Sequence, residues 1–370
     1  MARTIVAGSV WFGLLALGCS SSSTSPEDVG GVGGATAPAT GGNSTAGSNS
    51  TAGSNSTAGS NSTAGGTSTR GGTSNATAVT GGVVSSGGTS ATGGQSGKAL
   101  AKAGDKTSTT NDYLNLGNMR LINNNWGSVA LQNGCSAPMS VNVNSDGSFG
   151  FTFNRGNCND DGSHPDYPEI EFGVAPFGTT SSLRTTPAFS TTSLLPIQVK
   201  NIQSASVSIG NFSIALQNNT NWNLNIEFWL SKLDPLTNGD AQAYAEIMGL
   251  WGWSAGAALW KCNVTGTSVT SGGKPYNLCH QSDAWGTGGT WRFFQFQASS
   301  SQQSFSGTFD VKAFLDWFYG SSYGSSVSKD YYLTRIEIGS EIDDNTSGTC
   351  TIKDIAFTIN GTTQGPTLAK

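Results

Sequence analysis

The chain has 370 residues, of which only 11% are charged, and its formal net charge is −5. A weakly acidic chain without a basic run is a poor match for nucleic acid, so we expect no nucleic-acid partner. Asn, Gln, Ser and Trp are abundant, which suits neutral, hydroxyl-rich ligands.

The first 18 residues have the pattern of a lipoprotein-type signal peptide. Arg3 precedes an apolar run over 5–17, which is too short for a membrane span. The residues Leu-Ala-Leu-Gly before Cys19 resemble a bacterial lipobox, which implies that Cys19 is lipidated. We therefore expect an exported lipoprotein of the outer membrane or cell surface, which touches the membrane through its lipid alone. The alternative is plain secretion after cleavage nearby.

Residues 19–105 form a segment rich in Gly, Ser, Thr and Asn, which contains a repeated Ser-Asn-Ser-Thr-Ala-Gly hexapeptide between Asn43 and Gly65. Such a segment has almost nothing apolar to bury, so it cannot offset the entropy lost on ordering. The composition predicts a disordered tether with an r.m.s. span of roughly 50 Å.

Residues 106–370 carry nearly all the aromatic residues and are long enough to bury one substantial core. Alternating apolar residues on either side of Asp146-Gly147 predict a β-hairpin. Further strands are predicted over 222–230, 291–298, 331–341 and 351–360. In the first of these, Glu227 and Trp229 face away from the apolar side.

One helix is predicted, with Asp310 as its N-cap and Gly320 as its end, because apolar residues follow Asp310 at helical spacing. Many strands and a single short helix predict an all-β fold, a two-sheet antiparallel jelly roll of the concanavalin-like type with a concave substrate cleft.

An export signal permits disulfides. Pairing of Cys135 with Cys158 would close the hairpin region, and pairing of Cys262 with Cys279 would close a loop. The sequence alone leaves the connectivity of these four cysteines and Cys350 open.

Two carboxylates lie on predicted strand faces that also carry polar and aromatic residues. Glu246 lies in Ala-Tyr-Ala-Glu-Ile-Met, and Glu341 lies in Arg-Ile-Glu-Ile-Gly-Ser-Glu-Ile. Paired carboxylates on either side of a sugar–sugar bond are the usual apparatus of glycoside hydrolysis. Glu337, four residues before Glu341 and on the same face, is the rival for its role.

Several short motifs occur in an order that resembles glycoside hydrolase family 12, the jelly-roll endo-β-1,4-glucanases and xyloglucanases. In chain order they are Asn123-Asn124-Asn125-Trp126-Gly127, Tyr167-Pro168-Glu169-Ile170-Glu171-Phe172-Gly173, Asn223-Leu224-Asn225-Ile226-Glu227-Phe228-Trp229, Glu246-Ile247-Met248 and Tyr332-Leu333-Thr334-Arg335-Ile336-Glu337-Ile338-Gly339-Ser340-Glu341.

The resemblance implies a retaining double displacement without a metal or a cofactor. Glu246 matches the nucleophile, Glu341 the acid/base and Glu227 an acidic neighbour of the nucleophile. The substrate-binding candidates are Trp126 as a sugar platform, Asn124, Met248 and Trp229.

Two positions depart from the family pattern. The tryptophan that follows Glu-Ile-Met comes one residue late, at Trp251, and Asp343 stands where an aromatic residue is usual.

The sequence therefore predicts a monomeric endo-acting hydrolase of cellulose, mixed-linkage glucan or xyloglucan. The alternative is a non-catalytic glucan-binding surface lipoprotein.

Overall fold

The computed structural model describes residues 98–125, 137–158, 165–177, 190–218, 221–254, 262, 266–285 and 290–370. Within these ranges the chain forms seventeen β-strands, one short 3-10 helix over Val199–Asn201 and one α-helix. No helix in the described ranges is both long enough and apolar enough to cross a membrane.

The strands form two sheets. The first sheet contains β1 (Lys106–Thr107), β4 (Met139–Val143), β5 (Phe149–Arg155), β8 (Ala205–Asn218), β14 (Ser304–Asp310), β16 (Thr346–Ile359) and β17 (Thr362–Gln364). Its order is β1-β4-β5-β16-β8-β14, and β17 pairs with β16.

The second sheet is larger. It contains β2 (Tyr113–Asn115), β3 (Arg120–Ile122), β6 (Glu169–Gly173), β7 (Ile197–Gln198), β9 (Asn223–Ser231), β10 (Ala243–Trp253), β11 (Ser268–Ser271), β12 (Lys274–Trp285), β13 (Trp291–Ala298) and β15 (Tyr332–Gly339). Its order is β11-β12-β13-β10-β9-β15-β6-β3-β2, and β7 pairs with β15.

The core lies between the two sheets and is formed by one face of each. In β9, Leu224, Ile226 and Phe228 are fully buried in this core. Phe172 of β6 stacks on Phe357 of β16 with ring centroids 4.4 Å apart, so the two sheets are in direct contact. Because successive side chains of a strand point to opposite faces, the polar residues of β9 lie on the other side of the second sheet.

The structure confirms the predicted all-β sandwich. Strands β4 and β5 pair as the predicted hairpin, with Gly147 in the turn at φ +81°. Strand β13 spans the predicted residues, and β16 begins five residues before the predicted 351.

One strand pairing differs from the antiparallel expectation. Strand β13 pairs in parallel with β10, with Glu246 opposite Phe293. Strands β12 and β13 form an antiparallel hairpin, and this hairpin joins the sheet through its second strand. Because β13 pairs with β10 and runs in the same direction, the second sheet contains both parallel and antiparallel pairs.

The α-helix, α1 (Val311–Gly320), forms as predicted. The Asp310 side chain accepts a hydrogen bond of 3.1 Å from the backbone N–H of Ala313, which is the N-cap interaction. Phe314 is fully buried on the inner side of the helix. Its ring packs against the aromatic rings of Phe228, Tyr276, Phe296 and Phe309.

The structure contains one of the two disulfide pairings that the sequence left open. Cys262 and Cys279 form a disulfide, and Cys158 is also disulfide-bonded. Cys135, the proposed partner of Cys158, lies outside the described residues. Cys350 is a free, buried thiol on β16, and burial raises its pKa.

We expect Phe314→Ala to lower the free energy of unfolding by about 3–5 kcal/mol, because the substitution leaves a cavity among four aromatic rings. Lys312→Ala, on the outer side of the same helix, removes one ion pair with Asp316 and should cost less than about 0.5 kcal/mol. Urea denaturation of the two variants checks this. Equal losses would contradict the assignment of Phe314 to the core.

Candidate active site

The polar face of the second sheet collects the predicted acidic residues. On β9, Asn223, Asn225, Glu227 and Trp229 alternate with the core residues. The strand register places Trp229 opposite Glu246 of β10. Directly paired residues of antiparallel strands point to the same face, so Glu246 shares the face of β9 that carries Glu227.

Glu246 is held by a tryptophan that the sequence analysis did not select. The indole Nε1 of Trp291, the first residue of β13, donates a 2.6 Å hydrogen bond to Glu246 Oε2. Glu246 is 6% exposed, so its carboxyl group is nearly removed from solvent without lying in the apolar core. The sequence predicted the strand of Trp291, but its contact with Glu246 depends on the parallel pairing of β13 with β10.

The strand predicted over 331–341 ends at Gly339, so the prediction that Glu341 lies on this strand was wrong. Glu341 lies just after β15 and is held by Asn223 of β9. The backbone N–H of Glu341 donates to Asn223 Oδ1 at 3.0 Å, and Asn223 Nδ2 donates to Glu341 Oε2. The backbone N–H of Asn223 also donates to the carbonyl oxygen of Glu341 at 3.0 Å. Glu341 itself is partly exposed to solvent.

Buried amides link Glu341 to Glu227. Asn225 Nδ2 lies 3.0 Å from Asn223 Oδ1 and 3.1 Å from Glu227 Oε1, and it donates to both. The Tyr167 hydroxyl donates to Asn225 Oδ1 at 2.6 Å. Asn223 and Asn225 are fully buried, so these hydrogen bonds satisfy amide groups that water cannot reach. Their strand positions were visible in the sequence, but nothing local distinguished them from structural asparagines.

The three carboxyl groups affect each other electrostatically. Burial raises the pKa of Glu246 well above its usual range, the Trp291 hydrogen bond opposes this rise, and the charge of Glu341 adds to it. Burial, with the charges of Glu246 and Glu341, raises the pKa of Glu227. The amides of Asn223 and Asn225 join Glu341 to Glu227, and Met248, two residues after Glu246, pairs with Glu227 across β9 and β10. The three carboxyl groups therefore occupy neighbouring positions.

Glu341 has its own balance of effects. Burial raises the pKa of Glu341 to about 7, the hydrogen bond from Asn223 opposes the rise, and the charge of Asp343 adds to it. A carboxyl group in this environment keeps its proton near neutral pH, which suits a general acid.

Glu337, the rival of Glu341, is held in a network of ion pairs. Trp229 Nε1 donates to Glu337 Oε2 at 2.7 Å, and Arg335 forms an ion pair with the same carboxylate. Arg335 also lies 3.1 Å from Glu169 and 3.4 Å from Glu171. Burial alone would lower the pKa of Arg335, but the charges of Glu171, Glu337 and Glu169 reverse the effect and raise it.

This network extends across β6 and β3 and includes one predicted site residue. Arg120 of β3 forms an ion pair with Glu171. Asn124 Nδ2 donates to Glu169 Oε1 at 3.1 Å, so Asn124 lies beside the charged part of the face. Glu169 and Glu171 belong to one of the family motifs in the sequence, but no sequence pattern indicates their ion pairs.

The remaining site candidates differ in their placement. Met248 shares the face of Glu246 and packs with Leu250 and Phe293. Trp229 is partly exposed, and its ring lies 5.5 Å from that of Trp291. Trp126 and Cys19 lie outside the described residues.

The late tryptophan of the Glu-Ile-Met motif lies in the core. Trp251 is five residues after Glu246 and therefore points to the opposite face of β10. Its ring packs against Phe212 and Phe305, with centroids at 5.6 and 4.7 Å. Leu250 takes the position on the polar face that a tryptophan at the usual spacing would occupy.

The chain shares its fold with solved glycoside hydrolases of family 12. A family 12 xyloglucanase from Bacillus licheniformis matches with a TM-score of 0.55 and 20% identity, over 69% of this chain and 100% of the other. A metagenome-derived family 12 endoglucanase matches with a TM-score of 0.51 and 20% identity, over 70% of this chain and 98% of the other. Endoglucanase 3 from Trichoderma harzianum, of the same family, matches with a TM-score of 0.51 and 17% identity, over 69% and 97%.

These matches confirm the fold that the sequence resemblance implied, a β-jelly roll of the family 12 type. No protein-family sequence model matches this chain, and no curated protein sequence matches it.

We expect Trp291→Phe to raise the pKa of Glu246 further, because the indole hydrogen bond stabilises the ionised carboxylate. The titration of Glu246 can be followed by ¹³C NMR of labelled glutamate, with Glu246→Gln identifying the signal. Trp285→Phe is the matched control, since Trp285 stacks on Phe293 at the exposed end of β12. A titration of Glu246 unchanged in Trp291→Phe would contradict the assigned role of the indole.

Proposed function

We propose that the protein is an endo-acting, retaining glycoside hydrolase that cleaves β-1,4-linked glucan backbones. The proposal is carried by one observation: Glu246 lies on the polar face of the second sheet, and Glu341 lies beside that face, held by Asn223 of β9. The family 12 fold supports the same reaction class.

Glu246 is the proposed nucleophile. Its carboxylate attacks the anomeric carbon, the bond to the leaving oxygen breaks, and a covalent glycosyl–enzyme ester forms. The reaction needs Glu246 ionised at the moment of attack. The hydrogen bond from Trp291 favours that form and fixes the orientation of the carboxylate.

Glu341 is the proposed acid/base. It donates its proton to the leaving oxygen in the first step and takes a proton from water in the second, as water displaces Glu246. Asn223 holds the carboxylate by one oxygen, and the partial exposure of Glu341 allows contact with a substrate and with water. Glu337 is a poorer candidate, because Arg335 and Trp229 already hold its carboxylate.

The substrate face favours a neutral polymer. Glu169, Glu171 and Glu337 are paired with arginines, whereas Glu227, Glu246 and Glu341 have neutral donors as their hydrogen-bond partners. A polyanionic chain would be repelled from such a surface, while a hydroxyl-rich glucan can hydrogen-bond to it. Cellulose, mixed-linkage glucan and xyloglucan all meet this requirement.

The sugar contacts are proposals as well. Met248 and Trp229 lie near the cleavage position, Asn124 lies further along the face, and Trp126 is the proposed platform for a glucosyl unit. Aromatic rings suit this role because the apolar faces of sugar rings pack on them.

We also propose that the enzyme is exported and held at the outer membrane or cell surface by a lipid on Cys19, with the segment 19–105 as its tether. The apolar run before Cys19 and the Gly/Ser-rich composition of the tether support this. A non-catalytic glucan-binding protein remains the second candidate. The neutral donors around Glu246 and Glu341 favour catalysis, because binding a neutral sugar needs no raised carboxyl pKa.

The test is release of reducing sugar from xyloglucan, mixed-linkage glucan and carboxymethyl cellulose. We expect activity on the neutral polymers, and we expect Glu246→Gln to abolish it because the attacking oxygen is lost. Glu341→Gln should lower kcat by roughly 10²–10⁴-fold. Glu337→Gln is the matched control on the same face and should lose stability more than turnover.

Binding without sugar release by the wild type would establish the glucan-binding alternative. Wild-type turnover in either Glu246→Gln or Glu341→Gln would show that residue's role to be wrong. Detection of the α- or β-anomer by NMR immediately after cleavage distinguishes retention from inversion.

We expect kcat/KM to fall by about tenfold per pH unit above about pH 7, because Glu341 must be protonated to act as the acid. An unperturbed glutamate, with a pKa of 4.5, would already be ionised at pH 6. A pH–rate profile on xyloglucan oligosaccharides measures this limb. A limb near pH 5 would contradict the raised pKa of Glu341.

A further inference from the structure

The segment 340–344, which carries Glu341, is fixed along both edges. The backbone of Ile342 pairs with Asp166 on one side through hydrogen bonds of 2.9 and 2.8 Å. On the other side, the backbone N–H of Asp343 donates to the carbonyl of Asn221 at 2.9 Å. The position of Glu341 therefore depends on the residues that follow it as well as on β15.

A buried arginine from the first sheet contacts this segment. Arg155, the last residue of β5, is 1% exposed. Its Nη1 donates to the carbonyl oxygen of Ile342 at 3.0 Å, its Nη2 lies 3.4 Å from Asp343 Oδ1, and its Nε lies 3.3 Å from Asp344 Oδ1. The Asp166 carboxylate is 3.8 Å from Nη1.

One guanidinium group thus faces three aspartates from two chain segments. The planar fork of arginine can engage several acceptors in fixed directions, which a lysine ammonium cannot reproduce. Arg155 supplies a positive charge beside the buried carboxylates of Asp166 and Asp343, so its removal would be costly. Asp343 is further held by Asn221 Nδ2, which donates to its Oδ2 at 2.8 Å.

We propose that Arg155 and Asp343 form a positioning pair for Glu341: the guanidinium holds the segment that carries Glu341, and it fixes the side chain of Asp343, two residues after Glu341 in the chain. The catalytic part of this inference rests on the proposed function, in which Glu341 is the acid/base. Neither Arg155 nor Asp343 is proposed to contact the substrate.

The charges around Glu341 give this arrangement a measurable effect. Asn223 of β9 holds the Glu341 carboxyl group, and the titratable groups that act on it or respond to its charge are Asp343, Glu227 of β9, Glu246 of β10 and Tyr167. Burial raises the pKa of Glu341, Asn223 opposes the rise, and Asp343 adds to it. A fixed Asp343 thus helps Glu341 to keep its proton.

The pair also accounts for a departure from the family pattern. Asp343 stands where an aromatic residue is usual, and a buried aspartate there needs a cation. Arg155 supplies that cation from the opposite sheet.

The first experiment compares Asp343→Asn with its neighbour control, Asp344→Asn, by ¹³C NMR titration of Glu341 in the full chain. The signal is assigned by its loss in Glu341→Gln. We expect Asp343→Asn to lower the pKa of Glu341 by on the order of one pH unit. Asp344→Asn, which removes another charge from Arg155, should shift it much less.

The second experiment tests the arginine through steady-state kinetics. We expect Arg155→Lys to lower kcat by about tenfold or more with KM nearly unchanged, because a misplaced acid slows the chemical step without weakening binding. Thermal unfolding of each variant shows whether the fold is kept. Arg155→Lys retains the charge, so a loss of kcat reports on the geometry of the fork.

The outcomes are distinguishable. A Glu341 titration that is unchanged in folded Asp343→Asn would overturn the electrostatic part, and wild-type kcat in Arg155→Lys would overturn the positioning part. If the wild type releases no sugar while Asp343→Asn still shifts the titration of Glu341, the proposed function fails and the contact between Asp343 and Glu341 stands.

Discussion

The distribution of positive charge across one sheet face is the constraint on which the rest of this site depends. Six glutamates lie on or beside the polar face of the second sheet: Glu169, Glu171, Glu227, Glu246, Glu337 and Glu341. Among the described residues, arginines pair with only one group of them. Arg335 and Arg120 neutralise the group on β6 and β15, whereas the group around β9 and β10 has hydrogen bonds from amide and indole N–H groups. An arginine favours the ionised form of a nearby carboxylate, but burial and the charge of Glu337 still raise the pKa of Glu169. A neutral donor carries no charge that opposes protonation.

The neutral donors hold two carboxyl groups in place without preventing their protonation. Asn223 fixes Glu341 and Trp291 fixes Glu246, yet neither donor carries a charge that would suppress protonation of the carboxyl group. An arginine in place of Asn223 would give similar rigidity but would oppose the raised pKa of Glu341. Asn225 donates a hydrogen bond to Asn223, which offsets part of the free-energy cost of removing their amide groups from water. Both residues can therefore be fully buried at this site.

Two residues near the carboxyl groups are held by packing between the sheets. Trp251 points into the core, where its ring packs against Phe212 and Phe305. Asp343 forms an ion pair with Arg155 of the first sheet.

The sequence by itself determined the strand faces, the hairpin at Gly147, the N-cap at Asp310 and the side of the sheet on which Glu227 and Glu246 lie. These features follow from alternation and from local hydrogen bonds, which a short stretch of chain specifies alone. The family resemblance supplied the pairing of Glu246 with Glu341. Only the tertiary structure decided that Trp291 bonds to Glu246, that β13 runs parallel to β10, and that Arg155 reaches the segment of Glu341. Each of these contacts joins residues far apart in the chain, and the register that brings them together is set by the packing of whole sheets, which no local pattern encodes.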